Sequence, residues 1–248
     1  MAGRVVVYLA RHGQTPLNES GVLRGRADPP LDETGREQAS RLGAVLGPRT
    51  PSLVAASPLQ RAVQTAQPVA ARAGLTVTTD QLLTDRDYGP WTGTPEESVI
   101  AQWGSVDNAP GVEPALVMLV RAMTGLNAIA GRCREGAVVA VSHDAVNRQV
   151  LAACCPDLGD PDSIPQDNGC FNTLEWRDGT WTVLAVNEIP PASGDAAARL
   201  SGELFDDLGA EGREVTGVTT GHQAPVGDHL LIDPGAAGVA DVGGQGRP

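Results

Sequence analysis

The sequence has no lysine: its eighteen basic residues are all arginine, against thirty acids, for a formal net charge of −12 over 248 residues. Such a surface repels nucleic-acid backbones and anionic membranes, so neither is expected as a general partner. Any anion held here needs a local arginine cluster working against the overall field. Aromatic residues make up only 3%, which leaves the core to Ala, Val and Leu. Long apolar runs are missing too. No stretch approaches the roughly twenty apolar residues of a membrane span. The N-terminal run in MAGRVVVYLARHG is too short for a secretory signal and reads as a buried strand. The four cysteines, Cys133, Cys154, Cys155 and Cys170, fit neither a zinc spacing nor a disulfide framework. Adjacent Cys154 and Cys155 are expected half-buried at a helix end, and a reducing cytoplasm is the expected compartment.

Strand and helix patterns alternate along the chain. Arg4–Ala10 is an apolar, β-branched run suited to a strand buried on both faces. Thr34 and Glu37 read as a capping box ahead of a helical stripe, Ala39, Leu42, Val45 and Leu46, that closes at Gly47-Pro48. A short strand, Ser52–Ala56, meets Ser57-Pro58, read as an N-cap with proline in the first helical position. That helix runs to Gly74, and Pro68 is expected to kink or split it. Thr76–Thr79 reads as a strand, 84–94 as a loop, Thr94-Pro95 as a helix start and about 114–131 as a longer helix. Ala137–Ser142 is a strand and Ala145–Ala153 a helix; Phe171–Trp176 and Trp181–Asn187 form a hairpin around Asp178-Gly179.

The expected fold is therefore α/β, a mostly parallel sheet covered by helices on both faces and ending in a β-hairpin. From Pro191 onward the composition turns to twelve glycines and nine acids against three arginines. Residues 1–190 are expected as the folded domain and 191–248 as a flexible acidic tail. His222 and His229 lie in that tail with no cysteine partner and read as exposed, so no metal site is expected.

Three places in this pattern carry chemistry. The first strand runs into Arg11-His12-Gly13-Gln14-Thr15, and ligands of open α/β sheets gather at the carboxyl ends of strands. Arg11 offers a planar fork matched to phosphate oxygens. His12, as a neutral imidazole, can attack phosphorus. Arg61 lies in the first turn of its helix, where a cation opposes the helix dipole and an anion relieves the conflict. The strand Ala137–Ser142 ends at His143, followed by Asp144. Two histidines at strand ends and two arginines make a phosphoryl cradle.

RHGQT at 11–15, SPLQRAVQTA at 57–66 and VSH at 141–143 resemble the histidine phosphatase superfamily, in its phosphoglycerate-mutase-like branch, over roughly 1–190. The resemblance implies His12 as the nucleophile that becomes phosphorylated, with Arg11, Arg61 and a protonated His143 holding the phosphoryl oxygens. It also implies the phosphate pocket for Asn18 and substrate contact for the Arg24-Gly25 loop. Asp85, in Asp85-Arg86-Asp87-Tyr88-Gly89, matches the general acid, which is Glu in many relatives. The implied activity is hydrolysis of a small phosphate monoester with no metal or other cofactor.

Some features depart from the pattern. Asp144 stands where many relatives have Gly, and another branch uses an Asp directly after its second histidine as proton donor. Asp144 thus rivals Asp85, and Asp87 is a nearby alternative; the flanking pattern favours Asp85. Mutase-type phosphoryl transfer is the closest rival activity. Relatives with that activity tend to carry a long basic insertion, which the 54 residues between Tyr88 and His143 lack. A non-catalytic phosphate-ligand module is the other alternative. Substrate choice is expected from loops 16–30 and 88–113, where Trp91 and Trp103 are either pocket walls or plain packing.

Overall fold

The computed structural model describes residues 3–18 and 20–192. The expected tail, including His222 and His229, lies outside the described residues apart from Pro191 and Ala192. Six strands form one sheet: β1 (Val5–Arg11), β2 (Leu53–Ala56), β3 (Val77–Thr79), β4 (Gly136–Ser142), β5 (Phe171–Arg177) and β6 (Thr180–Glu188). Their spatial order is β3-β2-β4-β1-β5-β6. The first four strands are parallel, and β5 runs antiparallel to both β1 and β6. Hence the sheet is mostly parallel and becomes mixed at its hairpin edge. The hairpin turn has two residues, Asp178 and Gly179, with φ of 53° and 82°, the mirror-image turn that matches strand twist.

Alternation along β1 sorts its side chains, with Val5, Val7 and Leu9 on one face and Tyr8 and Ala10 on the other. On the first face they join Met118 and Leu126 of α4 (Ala115–Gly131) and Val150 of α5 (Asp144–Cys154). On the second they join Leu42 and Leu46 of α1 (Glu33–Leu46) and Ala66 and Val69 of α2 (Gln60–Ala73). Each fully buried Leu or Val in these layers contributes about 1.5–3 kcal/mol. A smaller cluster lies apart, where Val99 of α3 (Glu96–Trp103) packs with Leu23 and Ala109. Cys154 ends α5 and Cys155 follows it, both half-buried as expected.

Three local expectations are corrected. The cap of α1 is Asp32, whose side chain accepts the Gly35 N–H at 2.7 Å, not the Thr34–Glu37 pair. Thr34 already lies inside the helix, which begins at Glu33, and exposed Glu37 pairs instead with half-buried Arg41 at 3.2 Å. Next, α2 starts at Gln60, two residues later than a Ser57 cap requires. Asp28 from a distant loop accepts the Gln60 N–H at 2.6 Å instead. Finally, Pro68 does not split α2. Its missing hydrogen bond costs about 3 kcal/mol, offset by the buried stripe Thr65, Ala66, Val69 and Ala70 around it. Gly43 of α1 leaves the space Pro68 needs, since a Cβ there would come within 2.8 Å of the proline ring.

Candidate active site

The register of β1 against β4 pairs Arg11 with Ser142. The residues that follow, His12 and His143, therefore leave the sheet side by side, and His12 N–H still bonds the Ser142 carbonyl at 3.1 Å. Both rings are fully buried, with centroids 5.1 Å apart. His12 Nδ1 lies 2.7 Å from the Gly13 carbonyl. A carbonyl only accepts, so the proton sits on Nδ1 and Nε2 keeps its lone pair. Arg61 Nε donates to that Nε2 at 3.3 Å. Gly13 is dictated by packing: a Cβ there would come within 2.5 Å of the Gly35 carbonyl oxygen.

Arg61 is wholly buried in the first turn of α2. Its Nη1 donates to the Ala27 carbonyl at 2.6 Å, and its Nη2 donates to the Gly25 carbonyl and to Asp85 Oδ2, both at 2.9 Å. Arg11 donates through Nη1 to the Gln166 carbonyl, and its Nη2 lies 3.3 Å from Asp144 Oδ2. Arg24 Nη2 donates to the same Asp144 oxygen at 2.9 Å. On His143, Nε2 meets Ser57 Oγ at 2.8 Å while Nδ1 has no hydrogen-bond partner and lies 3.6 Å from Asp85 Oδ2. Ser57 Oγ also accepts the Leu59 N–H at 3.3 Å. A hydroxyl has one hydrogen and two lone pairs, so Ser57 can serve His143 Nε2 in either ring tautomer, and Nδ1 is the nitrogen that faces the site.

Burial and the surrounding arginines set the charge states. Burial first, then Arg61 and Arg11, hold His12 well below its ordinary pKa, so its ring is neutral. Burial, Arg61 and His12 do the same to His143. Its arginine neighbours oppose a further positive charge on His143, and the negative charge of a phosphoryl group would work in the other direction. Burial and the charge of Asp144 push Asp85 up to about 6 against the opposing pull of Arg61. Asp144 goes the other way: Arg11 and Arg24 outweigh the effect of burial and hold its carboxyl well below the usual range.

The structure brings together Arg11, His12, Arg61, Asp85 and His143, with Asp144 at their edge. Asn18 is half-buried nearby in the chain and spends its amide oxygen on Thr15, accepting from its N–H at 2.9 Å and its hydroxyl at 2.8 Å. Asp87 stands outside the group, paired with exposed Arg26 at 3.3 Å. Trp91 and Trp103 pack edge to face at 5.9 Å, and neither lines the cavities beside the cage.

Several supporting residues escape a reading of the sequence. Ser57, read as a cap, is the partner of His143. Gln166, whose carbonyl receives Arg11, is itself held by Asn147 at 3.2 Å and by Asn172 at 2.8 and 3.0 Å. No motif announces that buried amide trio. Arg121 donates to the carbonyls of Leu82, Thr84 and Asp85 at 3.0, 2.6 and 3.0 Å, fixing the backbone that presents Asp85. Glu113 holds Arg121 through both carboxylate oxygens. A signal was there to find: Arg121 is the one charged residue in the apolar run 115–131.

The site thus joins a neutral imidazole at a strand end to clustered arginines and a second imidazole. The family model for the histidine phosphatase superfamily (branch 1) matches residues 7–189, and the chain belongs to that family. It is 39% identical over 216 residues to a glucosyl-3-phosphoglycerate phosphatase of Mycolicibacterium vanbaalenii, covering 72% of this chain and 95% of that one. It is 29% identical over 184 residues to the uncharacterized phosphatase PhoE of Bacillus subtilis, covering 73% and 93%. Among solved structures, a mycobacterial glucosyl-3-phosphoglycerate phosphatase with inorganic phosphate superimposes with a TM-score of 0.64 at 25% identity, covering 76% of this chain and 99% of that one. Among the described residues, no helix is long and apolar enough to cross a membrane. Nor does any group of three or more His, Cys, Asp or Glu side chains there form a candidate metal site.

Proposed function

We propose that residues 1–190 hydrolyse a small phosphate monoester through a phosphohistidine formed on His12, without a metal. The observation that carries this reading is His12 itself, buried, neutral, and holding a lone pair on Nε2 that only a 3.3 Å bond from Arg61 occupies. A bound phosphoryl group would take over that bond. Nε2 then attacks phosphorus, the bond to the alcohol oxygen breaks, and protonated Asp85 gives its proton to the leaving oxygen. Arg11, Arg61, His143 through the nitrogen that faces the site, and the amide nitrogen of Asn18 receive the equatorial oxygens. In the second half, water attacks phosphorus while Asp85 takes its proton. The P–N bond breaks and phosphate leaves.

Divergent environments assign the two carboxyls. Asp85, held near 6, can carry and release a proton around neutrality, whereas Asp144 stays ionised. The phosphatase names of the relatives support hydrolysis over transfer. The test is turnover of p-nitrophenyl phosphate in the presence of a metal chelator. The wild-type protein is expected to hydrolyse it, and His12→Ala to lose at least about a thousandfold in kcat. Activity that survives in His12→Ala, or that needs added metal, contradicts the proposal.

A further inference from the structure

We infer that the alcohol this protein releases carries no carboxylate near its ester oxygen, and that Asp144 enforces that choice. The inference rests on the phosphatase reading above and concerns the side of the site where the alcohol must lie. A cavity of about 200 Å³ opens there, lined by two arginines, Arg24 and Arg148, and four acids, Asp85, Glu96, Asp144 and Asp162; with Asp85 protonated, three carboxylates still stand against the two arginines. A larger space of about 400 Å³ shares Glu96, Arg148 and Asp162 with it and adds Asp107, Asp160 and Arg86.

Each arginine facing this space has an oxygen partner through one terminal nitrogen, while the buried Nε of Arg24 and of Arg148 has none. Arg24 donates to Asp144 at 2.9 Å, Arg86 pairs with Asp107, and Arg148 donates to the Asp162 carbonyl at 2.7 Å. A carboxylate on the leaving alcohol would enter a pocket whose negative charges outnumber its positive ones, and like charges brought together suppress the wrong ligand. Hydroxyl groups face no such conflict, because they donate to carboxylates and accept from arginine. The pocket therefore suits a hydroxyl-bearing, uncharged alcohol. Asp144 is the pivot because its one oxygen spans Arg11 of the cage at 3.3 Å and Arg24 of the alcohol side at 2.9 Å. Without that charge, Arg24 is free to receive a carboxylate. Asp144 is thus a specificity-determining residue.

Glycerol 3-phosphate and 3-phosphoglycerate form a matched pair, differing only in a CH2OH against a carboxylate. As competitive inhibitors of p-nitrophenyl phosphate turnover by the wild-type protein, glycerol 3-phosphate is expected to bind about tenfold more tightly, with added salt narrowing the gap. Asp144→Asn should close most of the gap by improving 3-phosphoglycerate, and Glu96→Gln, on the other wall, should move it the same way. Equal or tighter inhibition by 3-phosphoglycerate in the wild type overturns the inference. So does a gap that neither variant alters. Calorimetric binding of both esters to His12→Asn gives the same comparison without turnover. Failure of the phosphatase reading, seen as turnover that does not depend on His12, is thereby kept distinct from failure of this one.

Discussion

Asp85 and Asp144 are chemically identical side chains at one site, and their surroundings drive them apart. Asp85 has an arginine 2.9 Å away yet binds its proton more tightly than usual. Burial accounts for this, since it penalises both ions and lowers the pKa of Arg61 as well. The pH dependence follows. Release of an alkyl alcohol should slow as pH rises through about 6 and Asp85 loses its proton. In Asp85→Asn that limb should vanish, with kcat on an alkyl phosphate down by roughly 10²–10⁴ and a smaller loss on p-nitrophenyl phosphate, whose leaving group needs little protonation. In Asp144→Asn the limb should move to lower pH, because the Asp144 charge is one of the forces raising Asp85. Profiles of kcat against pH for the three proteins check both outcomes. Stability has the matching sign. With a folded pKa near 6 against 3.8 unfolded, the folded state holds the extra proton, so the contribution of Asp85 is full at low pH and is lost as pH rises through that interval. At this scale the sequence was legible in setting Arg11, His12 and His143 at the ends of strands, where the structure brings them together. It was opaque at Ser57, where one hydroxyl could equally cap a helix or hold an imidazole.

Among the elements, the parallel pairing of β1 with β4 does most to create the site, because it sets two distant histidines in one place. The alternating apolar runs made both strands readable. Their adjacency was not, since β2 and β3 intervene in sequence and nothing in a single strand names its neighbour. The start of α2 was misplaced for a related reason: its real cap, Asp28, comes from thirty-two residues earlier in the chain. Arg121 of α4 shows how an element far from the phosphoryl cage can serve it. It holds three carbonyls around Asp85, and unmet buried acceptors cost about 1–3 kcal/mol each. Arg121→Met should therefore lower Tm and reduce kcat on an alkyl phosphate while leaving KM for p-nitrophenyl phosphate within about twofold. Thermal melts and steady-state kinetics on the same preparation check this. A large rise in KM with unchanged kcat would show that Arg121 shapes the phosphate cage and not the Asp85 loop.

Taken as a whole molecule, the chain joins a net charge of −12 to a small buried island of guanidinium groups. Composition alone pointed to that contrast, because an acidic surface without lysine can hold an anion only through clustered arginines. The layered fold was legible from the alternation of strands and helices, and the family match over 7–189 falls within the span 1–190 where that alternation occurs. Substrate choice was not legible, since it depends on which carboxylate neutralises which arginine across separate loops. The central claim, a covalent phosphoryl bond to His12, is tested most directly by trapping it. Wild-type protein mixed with a phosphate monoester, quenched in alkali to preserve the P–N bond and digested, should give a phosphorylated peptide with the group on His12 and none in His12→Asn. An unmodified His12 peptide from enzyme quenched during steady turnover, with the phosphoryl group found on another residue, would contradict it.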